Sequence, residues 1–300
     1  MTIKLVFLGT SAQIPTDRRN HTSILLSYGK ENILIDCGEG TQRQFRKAKL
    51  NICKITKILI THWHGDHVLG IPGLLQTLAF NNYNKTLYIY GPKGTREFIN
   101  KIFNTFVFSG KISVKVEEVT KDGVFFDTPD FYLDSSSMFH GVPCNAYSFV
   151  KKGQIRIDKN KLKKTKLPSN SLIQQLKLGK NITFNRKKFL AKDLTYYSEG
   201  KKVSFVLDTS FDKKIINFVG NSDVLILDSS FGEEFADLAK QYKHLTVNQA
   251  AEIAKKSNSK KLILTHLSQR YDKDNKKILN TSKKIFKKSY LAEDLDVIQI

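Results

Sequence analysis

The stretch THWHGDH, residues 61–67, places three histidines and an aspartate directly behind an apolar, strand-like run. On an α-helix, residues two apart point roughly 200° apart, so these side chains would not share a face. On a loop that leaves a strand all four can converge, and strand ends are where open α/β sheets place their chemistry. Imidazole and carboxylate groups suit Zn²⁺, Mn²⁺ or Fe²⁺. The stretch therefore predicts a metal site with enough ligands for two ions, supplied by His62, His64, Asp66 and His67.

Two metal ions need further ligands, and three other strand-like runs end on a residue of ligand type. These residues are His140 after SMF, Asp208 in FVLDTS and His266 in LILTHLS. Taken singly, each is explained equally well as a core or capping residue, but together they converge on one site. His21, in the turn RRNHTS, is interpreted as structural, and His244, ahead of a helix start, is a candidate proton donor.

Alternating strand and helix patterns predict an α/β fold. Strands are predicted at 3–10, 22–29, 32–38, 54–61, 85–94, 201–210, 223–231 and 260–268, and helices at 39–50, 70–82, 95–106 and 246–258. Residues 151–190 are the least regular part, rich in Lys and Arg but with enough Leu and Ile for a small amphipathic insert. We expect one domain over 1–300 that carries this basic insert.

The sequence has 49 Lys and Arg against 28 Asp and Glu, a formal net charge of +21. This excess predicts attraction to nucleic acid or to an acidic membrane surface. The alternative is that the lysine content reflects the composition of the genome and gives only a solvated basic surface. The three cysteines lack CxxC spacing and are interpreted as reduced thiols. No signal-peptide pattern is present, and no apolar run approaches the ~18 residues of a spanning helix, which predicts a soluble, cytoplasmic protein.

Several segments beyond the metal motif resemble one known family. THWHGDH matches the HxHxDH motif of the metallo-β-lactamase superfamily, which is specific only to that superfamily. FLGTSAQIPTDRRNHTS, ILIDCGEGTQRQ, THWHGDHVLGIPGLL and LILTHLSQRY resemble its tRNase Z (ribonuclease Z) branch, and the likeness covers nearly the whole chain. The resemblance implies an αβ/βα four-layer sandwich with the metal site between the edges of two sheets.

The resemblance also implies how the ligands divide. One zinc would be held by His62, His64 and His140, the second by Asp66, His67 and His266, with Asp208 bridging the two. Asp36, in ILIDCG, would orient a ligand histidine, a role that metal sites generally require. Asp66 and His244 are the implied catalytic residues, with His244 as the general acid. Asp228, in LDSSF, would orient His244, although a buried aspartate that caps a strand explains it equally well.

Two regions of the resemblance concern RNA. The family's PxKxRN loop appears here as PTDRRN, with Asp17 where lysine is expected, Arg19 and Asn20 retained, and Arg18 as a source of the missing charge. The family's tRNA-binding arm corresponds to residues 151–190. There, four lysines would neutralise phosphates without reading bases: Lys161, Lys163, Lys164 and Lys166.

These features predict a zinc-dependent endoribonuclease that removes the 3′ trailer of precursor tRNA, with two Zn²⁺ per subunit and Mn²⁺ as a substitute in vitro. The resemblance further implies a homodimer in which one subunit's arm holds RNA for the other's active site. Two alternatives stay open: a dinuclear hydrolase of small phosphodiesters or esters, and a non-catalytic RNA-binding protein on the same scaffold. The second alternative expects lost metal ligands, whereas all seven are present in the sequence.

Overall fold

The structure is a computed structural model and describes residues 2–108, 110, 112–165, 167–168 and 171–300. It divides into two compact units. The larger unit comprises Met1–Asp127, Leu133–Phe149 and Lys202–Ile300, and the smaller one comprises Thr128–Tyr132 and Val150–Lys201. The THWHGDH stretch lies in the larger unit. The expectation of one domain with a basic arm over 151–190 stays a prediction.

The first large sheet has seven strands, in the order β18-β1-β2-β3-β4-β5-β6 when strands are numbered along the chain. These strands are β1 (Lys4–Gly9), β2 (Ser23–Tyr28), β3 (Glu31–Ile35), β4 (Lys57–Leu59), β5 (Thr86–Gly91), β6 (Ser113–Glu118) and β18 (Val297–Gln299). Pairing is antiparallel from β18 to β3 and parallel from β3 to β6. Parallel strands are covered on both faces, which explains the continuous apolar runs that the sequence shows in this region.

The second large sheet also has seven strands, in the order β17-β16-β15-β14-β9-β8-β7. They are β7 (Gly123–Asp127), β8 (Phe131–Phe139), β9 (Pro143–Lys151), β14 (Lys201–Val206), β15 (Val224–Asp228), β16 (Leu262–Thr265) and β17 (Ser289–Leu291). Strands β14 to β17 are parallel neighbours. Their carboxyl ends therefore meet at one edge, where a site can form.

Helices cover each large sheet on one side. Buried residues of α1 (Thr41–Lys47), α3 (Ile71–Phe80) and α4 (Thr95–Thr105) pack with the first sheet, and those of α8 (Lys213–Phe218), α10 (Val247–Lys256) and α11 (Asn275–Ile285) with the second. The sheets contact each other through Tyr147, whose buried hydroxyl donates to the carbonyl oxygen of Ile60 at 2.8 Å. The predicted αβ/βα four-layer sandwich is thus confirmed for the larger unit. No helix in the described ranges is both long enough and apolar enough to cross a membrane.

The smaller unit has a core of its own, formed by Leu176, Ile182, Ala191 and Leu194. Its secondary structure consists of two antiparallel strand pairs and three short helices. These are β10 (Gln154–Ile157) with β13 (Thr195–Ser198), β11 (Ile182–Phe184) with β12 (Lys187–Phe189), α5 (Lys159–Lys163), α6 (Ser171–Lys177) and α7 (Ala191–Leu194). The amphipathic pattern read from the sequence therefore forms a small packed structure.

All the strands and helices predicted from the sequence are present, and each ends earlier than predicted. The placement of the whole metal motif on a loop was wrong, because α2 (Gly65–Val68) begins directly after His64 and carries Asp66 and His67. The backbone N–H of His67 donates to the His64 carbonyl at 3.0 Å, which closes this single turn. The two loop histidines and the two helical residues still converge, because the chain changes direction at His64.

Candidate metal centre

The candidate metal centre lies where strands of both large sheets end. His62 follows β4 of the first sheet, whereas His140, Asp208 and His266 follow β8, β14 and β16 of the second. Each parallel strand delivers its polar residue at the carboxyl end, as expected for α/β sheets. The structure therefore brings together the ligand-type residues that the sequence placed in four separate segments.

Backbone conformation marks the same place. Asp36, Asp208 and His266 have φ values of 55°, 49° and 58°, in the left-handed region that non-glycine residues rarely adopt. Such conformations cost of order 1–3 kcal/mol each and persist where the surroundings over-determine them, typically at functional sites. Two glycines permit the close packing of this region. A Cβ atom at Gly38 would collide with the carbonyl oxygen of Asp66, and a Cβ atom at Gly70 would collide with the carbonyl oxygen of Gly38.

One group of ligand atoms comes from His62, His64, His140 and Asp208. Nδ1 of His64 lies 3.0 Å from Nε2 of His62 and 3.1 Å from Nε2 of His140. Oδ2 of Asp208 lies 3.6 Å from Nε2 of His62. Three imidazole nitrogens and a carboxylate oxygen thus surround a space of the size that a transition-metal ion occupies.

A second group comes from Asp66, His67, His266 and again Asp208. Nε2 of His67 lies 3.2 Å from Nε2 of His266, and Oδ2 of Asp66 lies 3.3 Å from the latter atom. Asp208 reaches His67 through Oδ2 and His266 through Oδ1, both at 3.2 Å. Asp208 is therefore shared by the two groups, the division that the family resemblance implies.

Contacts on the outer side of the rings determine which nitrogen faces inward. Nδ1 of His67 donates to Oδ2 of Asp36 at 2.7 Å, and Nδ1 of His140 donates to the Lys243 carbonyl at 2.9 Å. The Thr61 hydroxyl donates to Asp36 at 2.7 Å, so its oxygen accepts from Nδ1 of His62 at 3.1 Å. The Nε2 atoms of these rings consequently present lone pairs to the centre of the site, as metal-binding histidines do.

This arrangement fits divalent cations. Nδ1 of His64 lies about 3 Å from Nε2 of both His62 and His140, so three ring nitrogens crowd one point where a cation would bind all of them. Oδ1 of Asp208 is buried and, although it lies 3.2 Å from Nε2 of His266, accepts no hydrogen bond of good geometry from the described residues. A buried carboxylate oxygen without a donor costs free energy unless a cation compensates it. Zinc and the other late first-row transition metals prefer such sites of imidazole nitrogen and carboxylate oxygen.

The electrostatic field of the site favours positive charge. Burial alone would raise the pKa of Asp208, but His266 and His67 outweigh it and hold that pKa well below its usual range. Burial opposes protonation of His67, but Asp208, Asp36 and Asp66 outweigh it and raise the pKa of its imidazole well above the ordinary value. A proton on the inward nitrogen competes with a metal ion, so metal binding at this group is expected to release protons.

Asp36 provides a test of this supporting layer. Its Oδ1 accepts from the backbone N–H of Thr61, and its Oδ2 accepts from both the Thr61 hydroxyl and His67. We expect Asp36→Asn to weaken metal binding at the group that contains His67 by about 10–100-fold. The NH₂ of the asparagine would replace one carboxylate oxygen, so an N–H would face the N–H and O–H groups that Asp36 now accepts from. Competition titration with a chromophoric chelator measures this loss. Asp237→Asn, on an exposed position of α9 (Ala236–Tyr242), is the matched control, and equal affinities in the two variants would contradict the role.

His244 and Asp228 adjoin the ligand groups. Nδ1 of His244 donates to Oδ2 of Asp228 at 2.8 Å, and the His244 ring stacks on His266 with centroids 5.5 Å apart. Burial lowers the pKa of His244, but the carboxylates of Asp228 and Asp208 outweigh it and raise that pKa above its ordinary value. Asp228 is fully buried. The contact predicted between Asp228 and His244 is present, but Asp228 also accepts from the backbone N–H groups of Ser230 and Leu245 at the end of its strand, so its role in orienting His244 stays a prediction.

A cavity of about 600 Å³ opens over these residues. Its wall includes His64, Asp66, His140, Asp208, His244 and His266, together with Phe231, Tyr242 and Arg270. His21 also lines it, and its Nε2 contacts the Gln13 carbonyl at 3.0 Å, in keeping with the structural role expected for it. The volume accommodates a group of the size of one or two nucleotides but not a folded RNA.

The residues predicted to bind RNA are placed differently. Arg18 is exposed, whereas Arg19 is only 5% exposed and its guanidinium donates to Thr10 and to the Ala292 carbonyl, both at 2.7 Å. The side chain of Asn20 donates to the Glu39 carbonyl. Internal partners thus occupy Arg19, and its contact with RNA stays a prediction that burial disfavours. Lys161, Lys163 and Lys164 are exposed in the smaller unit, and Lys166 lies outside the described residues.

Sequence reasoning missed three outer contacts of the site: Thr61, Ser230 and the carbonyl of Lys243. Thr61 is adjacent to His62, and Ser230 lies two residues after Asp228, so a hydroxyl close to a predicted site residue was the available signal. The Lys243 carbonyl carries no residue-type signal, because any amino acid supplies one. Only the tertiary contact identifies it.

Comparisons with known proteins agree with this geometry. The chain is 37% identical to a ribonuclease Z of Nanoarchaeum equitans over 98% of its own length and 92% of that protein. It is likewise 37% identical to a ribonuclease Z of Listeria monocytogenes over 99% of both chains. The structure of human tRNase Z, short form, matches with a TM-score of 0.73 and 28% identity over 98% of both chains. A family model described as "Anti-Pycsar protein Apyc1" matches residues 3–114, less than half of the chain.

Proposed function

The chain belongs to the ribonuclease Z family of the metallo-β-lactamase superfamily, and on that premise we propose how it works. It is an endoribonuclease of tRNA 3′ processing that removes the 3′ trailer of precursor tRNA. Cleavage beside the discriminator nucleotide would leave a 3′-hydroxyl on the tRNA and a 5′-phosphate on the trailer. The observation that carries this function is identity to ribonuclease Z relatives along nearly the whole chain.

Membership in this family implies metal dependence, and we propose two zinc ions per chain. His62, His64 and His140 would hold one ion, Asp66, His67 and His266 would hold the other, and Asp208 would contact both. When bound, two such cations lower the pKa of the attacking water and neutralise charge that develops on the phosphate. The shared position of Asp208 and the inward lone pairs of the histidines support this assignment.

The chain's own groups handle the protons. We propose that Asp66, which lines the cavity, accepts a proton from the attacking water, while its Oδ2 lies 3.3 Å from Nε2 of His266. As the bond from phosphorus to the ribose 3′-oxygen breaks, His244 gives the proton on Nε2 to that oxygen, while its Nδ1–H stays bonded to Asp228. The carboxylates of Asp228 and Asp208 raise the pKa of His244, which favours the protonated imidazole that this step requires.

The decisive experiment compares two substrates. The purified chain should cleave a precursor tRNA at one position, and mapping the new ends identifies the bond. Activity should disappear with a chelator and return with Zn²⁺ or Mn²⁺. Hydrolysis of bis(p-nitrophenyl) phosphate without cleavage of precursor tRNA would instead favour a hydrolase of small phosphodiesters. Fewer than two equivalents of metal, with no gain on adding Zn²⁺, would revive a non-catalytic RNA-binding protein.

We propose that the exposed lysines of the smaller unit bind the phosphates of folded tRNA by charge and shape. Replacing Lys161, Lys163 and Lys164 by alanine should weaken tRNA binding and reduce the slope of log K against log salt by up to roughly three, about one per phosphate contact. Filter binding at several salt concentrations measures this slope. The matched control replaces three exposed lysines of the larger unit, Lys283, Lys284 and Lys287. An equal loss in both variants would mean that only net charge matters.

By the family resemblance we also propose a homodimer that acts in the cytoplasm, where precursor tRNA is processed. In this arrangement one subunit's arm holds RNA for the active site of its partner. Light scattering coupled to gel filtration gives the mass in solution. Mixing an arm-lysine variant with a chain inactivated at Asp208 should restore cleavage if the arm acts across subunits, and no restoration would contradict that arrangement.

A further inference from the structure

Ser230 lies at a junction that the reaction described above does not use. It is 2% exposed and follows β15 by two residues. Its Oγ lies 2.6 Å from Oδ1 of Asp228 and 2.8 Å from Nδ1 of His266. One hydroxyl therefore connects a carboxylate to an imidazole that is a candidate metal ligand.

The direction of these two hydrogen bonds follows from their lengths and charges. A hydroxyl has a single proton, and a bond of 2.6 Å to an ionised carboxylate is the short, charge-assisted kind. The proton of Ser230 therefore points at Asp228, and the oxygen's lone pairs point at His266. Nδ1 of His266 must then carry the proton that it donates to Ser230. Its Nε2 faces Asp66 and Asp208 at 3.3 and 3.2 Å, the side on which a metal ion would be bound.

The second oxygen of the Asp228 carboxylate accepts from His244, the proposed proton donor. Oδ2 of Asp228 accepts from Nδ1 of His244 at 2.8 Å and from the backbone N–H of Leu245 at 3.3 Å. Oδ1 accepts from the backbone N–H of Ser230 at 2.8 Å as well as from its hydroxyl. Four donors fill Asp228 and hold it in place. His266 itself lies 3.6 Å from Oδ1, beyond hydrogen-bond distance, so Ser230 provides the link.

We propose that Ser230 is a positioning residue that accepts the Nδ1–H of His266 and so holds the ring with Nε2 turned toward the metal position, and that Asp228 thereby orients a candidate metal ligand and the proton donor together. Without the hydroxyl, this N–H is left with Oδ1 of Asp228 at 3.6 Å, beyond hydrogen-bond distance. A ring that shifts toward that oxygen moves its Nε2 from the place between Asp66 and Asp208 where a metal ion would be bound.

This inference rests on the proposed function, and the test separates the two. Ser230→Ala should raise the dissociation constant of one of the two zinc equivalents by about 10–100-fold, measured by chelator competition, and leave the other unchanged. Ser230→Thr, which keeps the hydroxyl, should restore binding. In ¹H–¹⁵N spectra of the zinc-loaded chain, Ser230→Ala should shift the Nδ1–H resonance of His266, because the change removes the acceptor of that hydrogen bond. The kcat for precursor tRNA should fall with little change in KM and recover at high zinc.

Ser229→Ala is the matched control. Its buried hydroxyl donates to the Thr265 carbonyl at 2.8 Å, so this change also removes a hydroxyl but leaves His266 and Asp228 untouched. Zinc affinity lost equally in both variants, or unchanged in Ser230→Ala with the fold intact by thermal unfolding, would overturn the role of Ser230. A wild-type chain that holds two zinc ions but leaves precursor tRNA intact would overturn the proposed function alone. A wild-type chain that holds none would overturn both.

Discussion

Replacing Asp208 by alanine is expected to abolish cleavage of precursor tRNA, with a loss on the order of 10³-fold or more in kcat/KM. Asp208 is the one carboxylate of the described residues that belongs to both ligand groups. Its Oδ2 lies 3.2 Å from His67 and 3.6 Å from His62, and its Oδ1 lies 3.2 Å from His266. Without it, the two groups of histidines have no common anionic ligand, and both cations lose affinity.

The measurements are metal content by atomic absorption, kcat/KM for a precursor tRNA, and the Kd for the same RNA. The Kd should change little, because Asp208 is buried and offers nothing to the RNA surface. His64→Ala should behave in the same way. Asp212→Ala removes an exposed carboxylate that caps α8, so it should cost about 1 kcal/mol of stability and keep activity. Two equivalents of tightly held metal in Asp208→Ala would refute the shared-ligand role.

The second large effect is expected at His244. His244→Ala should lower kcat by about 10²–10⁴-fold with metal content unchanged, because no group then protonates the leaving 3′-oxygen. His244→Asn keeps a donor toward Asp228 but has no titratable proton, so it should lose as much activity as the alanine variant. Full activity in His244→Asn would show that the residue acts only by packing. Loss of metal would make His244 a ligand, as its grouping with Asp208, Asp228 and His266 allows.

The pH dependence of kcat tests the same residue. His244 is the acid only while protonated, and Asp228 raises its pKa above the ordinary value. The rate should therefore fall as pH rises through that pKa, which lies above 6.5. In Asp228→Asn the carboxylate is gone and the pKa drops, so the falling limb should move to lower pH. A limb that stays in place would assign the alkaline loss to another group.

The sequence by itself predicted the candidate metal-binding residues and the positions of the main strands. HxHxDH indicates a metal site, because four strong ligand groups in six residues have no use in an apolar core, and they converge although Asp66 and His67 lie on α2 and not on a loop. Asp208 and His266 were predictable for a related reason, since each ends a strongly apolar run and parallel strands end at a common edge. The smaller unit was less predictable. Its strands are three or four residues long, and their apolar residues are interrupted by lysines.

The tertiary structure alone decided how the ligands are supported and which polar groups are free. The sequence PTDRRN suggested that both Arg18 and Arg19 contact RNA. Arg19 is instead buried, and its guanidinium donates to Thr10 and to the carbonyl of Ala292, a residue more than 270 positions away in the chain. The orientation of His140 depends on a main-chain carbonyl, and that of His266 on Ser230. Hydrogen-bond partners are chosen by proximity in space, and residue type says only what a group can donate or accept. The candidate ligand residues could therefore be predicted from the chain, whereas the hydrogen bonds that orient them required the fold.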